Sequence, residues 1–264
     1  MAITKGETSN IEEISLNESV VLLDNNITKN KKSSNKFQQV NLEIDKEEDF
    51  HTKEAYKTLR ENLVFMGSDV KVISVTSCTP NEGKSSVAMN LALSIAEAGK
   101  RVILVDADLR KSVLVSRYKT KKVKYGLTHL LSKQCDLKEV ICTTNIKGLH
   151  TIFAGPVAPN PSELLGGPYF KYLIETCREH YDYVIIDTPP LGSVIDSAVV
   201  SKECNGVVLV ISQGEISYKF AEKVKNQLEK AEARILGTVL NKVDMGTKGV
   251  YGKYYAKYYG QDYQ

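Results

Sequence analysis

Six short apolar runs, separated by polar and helix-like stretches, constrain this chain more than any other feature. They are VKVISVTS (70–77), RVILVDAD (101–108), GLHTIFA (148–154), YVIIDTPP (183–190), GVVLVIS (206–212) and ARILGTVLN (233–241). Each is far shorter than the roughly 18–20 apolar residues that a membrane span requires. Each is rich in β-branched residues and hydrophobic almost without interruption, the pattern of a strand buried on both faces. Between them lie amphipathic stretches, including 85–100, 168–181 and 217–233. Repeated alternation of strand and helix predicts an α/β fold, with a mostly parallel central sheet flanked by helices on both faces.

Composition supports a packed domain. Of 264 residues, 42% are hydrophobic and 25% charged, which excludes disorder along the whole length. The N-terminal MAITKGETSN has no apolar core of the kind a secretory signal needs. A net charge of +3 is too mild to argue for nucleic acid as a partner. Cys78, Cys135, Cys142, Cys177 and Cys204 are odd in number and contain no C-x-x-C pair, so a reducing compartment and core-like thiols are expected. Neither a disulfide framework nor a zinc site is supported.

Three regions are expected. Residues 1–50 carry six Lys against ten Asp and Glu, and NNITKNKKSSNKFQQ reads as a flexible segment outside the core. It follows a short apolar patch, Val20 to Leu23, of unassigned role. Residues 51–244 form the domain. Its first helix is marked by Leu59, Leu63 and Met66 on one face, with Glu54, Lys57 and Arg60 lining another. Residues 245–264 form a flexible tail. It holds six of the chain's 14 Tyr within its last 14 residues, where core packing would spread them along the chain.

The strongest chemical signal is Asn81-Glu82-Gly83-Lys84-Ser85-Ser86, at the turn from the first apolar run into a helix. A phosphate-binding loop needs backbone N–H groups aimed at oxygens, a Lys for the β- and γ-phosphates and a hydroxyl for Mg²⁺. Gly83, Lys84 and Ser85 supply them, and the helix N-terminus adds partial positive charge. The usual leading Gly is replaced by Cys78. Asp106, Asp108 and Asp187 each end an apolar run, where parallel sheets bind ligands. Three such carboxylates beside a phosphate loop are best explained by Mg²⁺ held with a nucleotide. Asn241 and Asp244, in the string N-K-V-D, are candidates to read a purine edge.

Together these motifs resemble the bacterial tyrosine kinase family that regulates capsular and exopolysaccharide synthesis. The carrying segments are EGKSS (82–86), ILVDADLRK (103–111), AGPVAPNPSELL (154–165), VIIDTPP (184–190) and VLNKVD (239–244), followed by the tyrosine-rich tail. The resemblance implies a P-loop NTPase-like fold that uses ATP and Mg²⁺. It implies that Lys84, Asp106, Asp108 and Asp187 are catalytic, with Ser85, Asp108 and Asp187 at the metal. It further implies that Tyr251, Tyr254, Tyr255, Tyr258, Tyr259 and Tyr263 are the acceptors, phosphorylated between subunits. Either Asp106 or Asp108 would orient or deprotonate the acceptor hydroxyl.

The family's E-x-x-R-x-x-R subunit contact is represented by Glu54, Lys57 and Arg60, with Lys57 replacing the first Arg. A homo-oligomer is implied, together with a separate transmembrane activator of the polysaccharide co-polymerase type and an opposing protein-tyrosine phosphatase. The implied location is cytoplasmic, at the inner face of the membrane through that activator.

Two other readings compete. Partition or septum-placement ATPases share the sheet and the D-x-D pair, but they place a second Lys early in the loop, where this chain has Thr79. A nucleotide-switched binding module of a polysaccharide export complex would need no transfer to tyrosine.

Overall fold

The computed structural model describes residues 37–44, 50–120 and 123–243. Eight strands form one sheet. They are β1 (Gln38–Gln39), β2 (Val72–Ser77), β3 (Val102–Asp106), β4 (Cys142–Thr143), β5 (Leu149–Ile152), β6 (Tyr183–Asp187), β7 (Gly206–Ser212) and β8 (Ile235–Asn241). Their spatial order is β1-β4-β5-β3-β6-β2-β7-β8. Every pairing is parallel except β4 with β5. The six apolar runs thus supply β2, β3, β5, β6, β7 and β8.

The larger helices are α1 (Phe50–Phe65), α2 (Lys84–Glu97), α7 (Pro168–His180) and α9 (Tyr218–Lys230). Five short ones, α3 (Leu114–Arg117), α4 (Leu127–Leu131), α5 (Leu137–Val140), α6 (Pro161–Leu165) and α8 (Asp196–Ser201), connect strands. Burial on both faces follows from the two-residue period of a strand. In β7, Val208 and Val210 join the core that includes Leu63 of α1 and Leu91 of α2. The alternate residues Val207 and Leu209 pack with Val224 and Leu228 of α9. Pro168 at the start of α7 lacks the N–H that would be unpaired there, and its φ suits the first turn.

The core starts earlier in the chain than His51, where the sequence placed it. Gln38 and Gln39 pair with Cys142 and Thr143, and Val40 and Leu42 are buried in the core. The local signal is the alternation Val40, Leu42, Ile44, hidden in composition by the acidic residues around it. The five cysteines are free thiols, with Cys78, Cys142 and Cys177 buried. No helix among the described residues is long and apolar enough to cross a membrane. The patch from Val20 to Leu23, the six tail tyrosines and Asp244 lie outside the described residues.

Candidate active site

The C-terminal ends of β2, β3 and β6, three neighbours in the sheet, carry the site. After β2 the chain turns through Cys78–Gly83 into α2. Asn81 (φ 68°) and Gly83 (φ 89°) both adopt left-handed backbone. Asn tolerates this region, and glycine enters it freely. A Cβ at Gly83 would also lie 2.1 Å from the side-chain nitrogen of Asn241. The start of α2 has no side-chain cap, so its first N–H groups are left for a ligand.

Lys84 extends from this turn between two carboxylates. Its Nζ lies 3.3 Å from Oδ2 of Asp108 and 3.6 Å from Oδ1 of Asp187. Burial works against the ammonium, yet Asp187 and Asp108 more than offset it and hold its pKa above the ordinary value. Asp106 lies opposite Asp187 in the β3–β6 register and has no exposed surface. Its Oδ1 accepts from the Asp108 amide at 3.2 Å, and its Oδ2 accepts from the Ser112 hydroxyl. Asp108 in turn accepts from the Lys111 amide at 2.9 Å.

Burial is the main cause that pushes Asp106 up to about 7, with the Asp187 charge adding to it. Asp187 is also raised, because burial outweighs the attraction of Lys84. A folded pKa above the unfolded one means that ionising Asp106 costs stability. That cost is absent below about pH 3.8, grows as pH rises towards 7 and is level above it. Asp106→Asn should therefore stabilise the ligand-free protein, by up to about 4 kcal/mol at pH 8 and not at all at pH 3.5. Thermal melts at the two pH values check this. A destabilised variant at pH 8 would show that the charge is already compensated.

The donor set fits a nucleotide with Mg²⁺. Oδ1 of Asp187 is buried and makes no hydrogen bond; the Lys84 ammonium at 3.6 Å is the cation beside it, and an ion or its water can share that oxygen. Asp108 and the Ser85 hydroxyl complete an all-oxygen set beside it, the donor type Mg²⁺ prefers.

Not every residue picked from the sequence faces this cleft. Glu82 is fully buried and braces the loop. Its Oε2 accepts from the Thr79 amide at 2.6 Å and its Oε1 from the Ser212 amide at 3.2 Å. Asn241 donates one side-chain N–H to the Glu82 carbonyl at 2.9 Å and so supports the loop. Ser86 accepts from Arg117. On α1, Lys57 pairs with Glu54 at 2.6 Å within the helix. Arg60 turns inward and donates to the Ser94 carbonyl of α2 at 2.8 Å.

Sequence reasoning gave no role to Arg110, Ser162 or Asp196. The first two sit inside the motifs ILVDADLRK and AGPVAPNPSELL, whereas Asp196 has no local signal.

Comparison with known proteins agrees with this geometry. A family model described as an AAA domain matches residues 70–240. A tyrosine-protein kinase, CpsD of Streptococcus agalactiae, is 42% identical over 205 residues, covering 77% of this chain and 90% of that protein. The solved kinase domain of the Escherichia coli tyrosine kinase ETK superposes with a TM-score of 0.68 at 35% identity, over 72% of this chain and 75% of that one. The septum site-determining protein MinD from Pyrococcus horikoshii, solved with Mg-ADP, reaches a TM-score of 0.58 at 23% identity. It covers 71% of this chain and 76% of that one, and it shows the shared fold alone. With a CpsD kinase aligned over most of both chains, and Lys84 set among Asp106, Asp108 and Asp187, this chain belongs to the bacterial tyrosine kinase family.

Proposed function

We propose that this chain transfers the γ-phosphoryl group of ATP to tyrosine hydroxyls of its own C-terminal cluster, between neighbouring copies. The observation that carries the proposal is the placement of Lys84 within reach of both Asp108 and Asp187, with Asp106 behind them. Lys84 and the amides at the start of α2 hold the phosphates. Bound Mg²⁺ supplies further neutralisation of phosphate charge, with Ser85, Asp108 and Asp187 as the residues that would hold it. Asp106 or Asp108 orients the tyrosine hydroxyl or accepts its proton. The Tyr oxygen–phosphorus bond forms, the bond to the β-phosphate oxygen breaks, and ADP leaves. Positioning and charge stabilisation account for most of the acceleration in this chemistry.

The acceptors are Tyr251, Tyr254, Tyr255, Tyr258, Tyr259 and Tyr263. Each phosphate adds roughly −1.5 to −2 charge, so full modification turns a basic tail strongly acidic. We read that change as the signal that loosens a homo-oligomer and regulates capsule or exopolysaccharide synthesis. A transmembrane activator at the inner membrane face and an opposing phosphatase complete the cycle in this reading. Glu54 and Lys57 remain at the surface of α1 for a subunit contact, while Arg60 supports α1 against α2.

Incubation of the full chain with ATP and Mg²⁺ should place phosphotyrosine within residues 251–263, located by mass spectrometry. The yield should rise when a membrane-activator peptide is added. ATP hydrolysis without any tyrosine label would overturn the proposal.

A further inference from the structure

Arg110 lies two residues beyond Asp108, and its guanidinium grips a buried carboxylate with two parallel bonds. Nε lies 2.7 Å from Oδ2 of Asp196, and the Nη2 nitrogen lies 2.9 Å from Oδ1. The Ser162 hydroxyl donates to the same Oδ1 at 2.6 Å and accepts from the Nη2 nitrogen at 3.3 Å. The Asp196 side chain has no exposed surface, while Arg110 retains 40%.

The partners come from three different loops. Ser162 follows β5, Arg110 follows β3 and Asp196 follows β6, and these strands are adjacent in the sheet. One ion pair and one hydroxyl thus tie together the loops beyond three neighbouring strands. The β3 loop carries Asp108, and the β6 loop starts at Asp187. Those are the two carboxylates that Lys84 reaches.

We propose that Arg110 is a positioning residue: through Asp196 and Ser162 it sets the spacing of Asp108 and Asp187 around Lys84. The inference rests on the kinase reading above. A displacement of about 1 Å at a reacting centre can lower a rate by about a hundredfold. The fork geometry is what matters, because a lysine ammonium is a single point charge and cannot bond both carboxylate oxygens in parallel.

The test uses the full chain with ATP and Mg²⁺. Arg110→Lys keeps the charge and loses the fork. It should lower kcat for phosphotyrosine formation at least tenfold. Its KM for ATP should stay within about threefold of the parent, because Gly83, Lys84 and Ser85 are untouched. Added guanidinium ion should recover part of the kcat of Arg110→Ala. That variant leaves Asp196 buried and unpaired and could fail to fold. The double variant Arg110→Ala with Asp196→Ala removes both charges and should be as slow as Arg110→Lys, again with KM little changed.

An active parent with parental kcat in Arg110→Lys would overturn the positioning role and leave the kinase reading standing. Parallel losses in kcat, KM and melting temperature, with no guanidinium recovery, would also overturn it, because they mark a purely structural pair. A parent that forms no phosphotyrosine would overturn the kinase reading, and this inference with it.

Discussion

A Lys84→Met variant is expected to form no phosphotyrosine above about one-thousandth of the parent rate. Met matches Lys in reach and carries no charge, so the change removes the cation while keeping most of the packing. The ammonium sits where transferred charge develops, and a single well-placed cation in phosphoryl transfer is worth roughly 10³–10⁵ in rate. Lys84 is also only 11% exposed, so bulk water cannot replace it. A second effect accompanies the first. Asp106, Asp108 and Asp187 lose their shared cation, and their mutual repulsion then acts without compensation. The ligand-free variant should melt below the parent at pH 8, and the gap should narrow at pH 4, where Asp106 is protonated. Labelling with γ-labelled ATP and a pair of thermal melts read both effects. Labelling equal to the parent would refute the assignment of Lys84.

Glu82→Ala should be the most damaging single change to stability in the phosphate loop, at about 2–4 kcal/mol. The carboxylate is fully buried and satisfies the amides of Thr79 and Ser212. Truncation leaves both N–H groups without an acceptor, the buried Ser212 one costing about 1–3 kcal/mol, and opens a cavity beneath the loop. Glu82→Gln should fall between, since an amide offers one acceptor where two are needed. Urea unfolding measures the loss, and ADP binding should weaken in step as the loop loses its floor. An unfolding midpoint equal to the parent, with ADP binding lost, would instead show that Glu82 touches the nucleotide itself.

Glu82 illustrates why a motif is only partly legible. A phosphate loop is recognised by spacing, and spacing says which residues lie near the ligand. It does not say which side chains turn away from it. Glu82 turns inward because the loop's own amides need acceptors, and Asn241 is drawn to the loop carbonyl for the complementary reason. Arg60 is a parallel case. The family resemblance implied a subunit contact for it, and the structure shows its guanidinium on the Ser94 carbonyl of α2. The early strand was missed for a different cause. Val40 and Leu42 alternate correctly, but two strand residues beside an acidic run give too short a pattern to stand out.

The sequence by itself determined the sheet, its helices and the location of the chemistry. Hydrophobic period is a local property, so β2, β3, β6 and β7 could be read directly, with Asp106 and Asp187 at strand ends. Lys84 could be placed at a strand-to-helix turn in the same way. The family resemblance then attached a reaction to those residues and acceptors to the tyrosine cluster. Tertiary structure decided what distance along the chain conceals. Asp106 and Asp187 are 81 residues apart and become register partners, and the Asp187 charge adds to the burial that raises the Asp106 pKa. Arg110 and Asp196 are 86 residues apart and form one ion pair, with the carboxylate buried. Such contacts depend on which strands become neighbours. Strand order is set by how the whole core packs, and no local pattern records it.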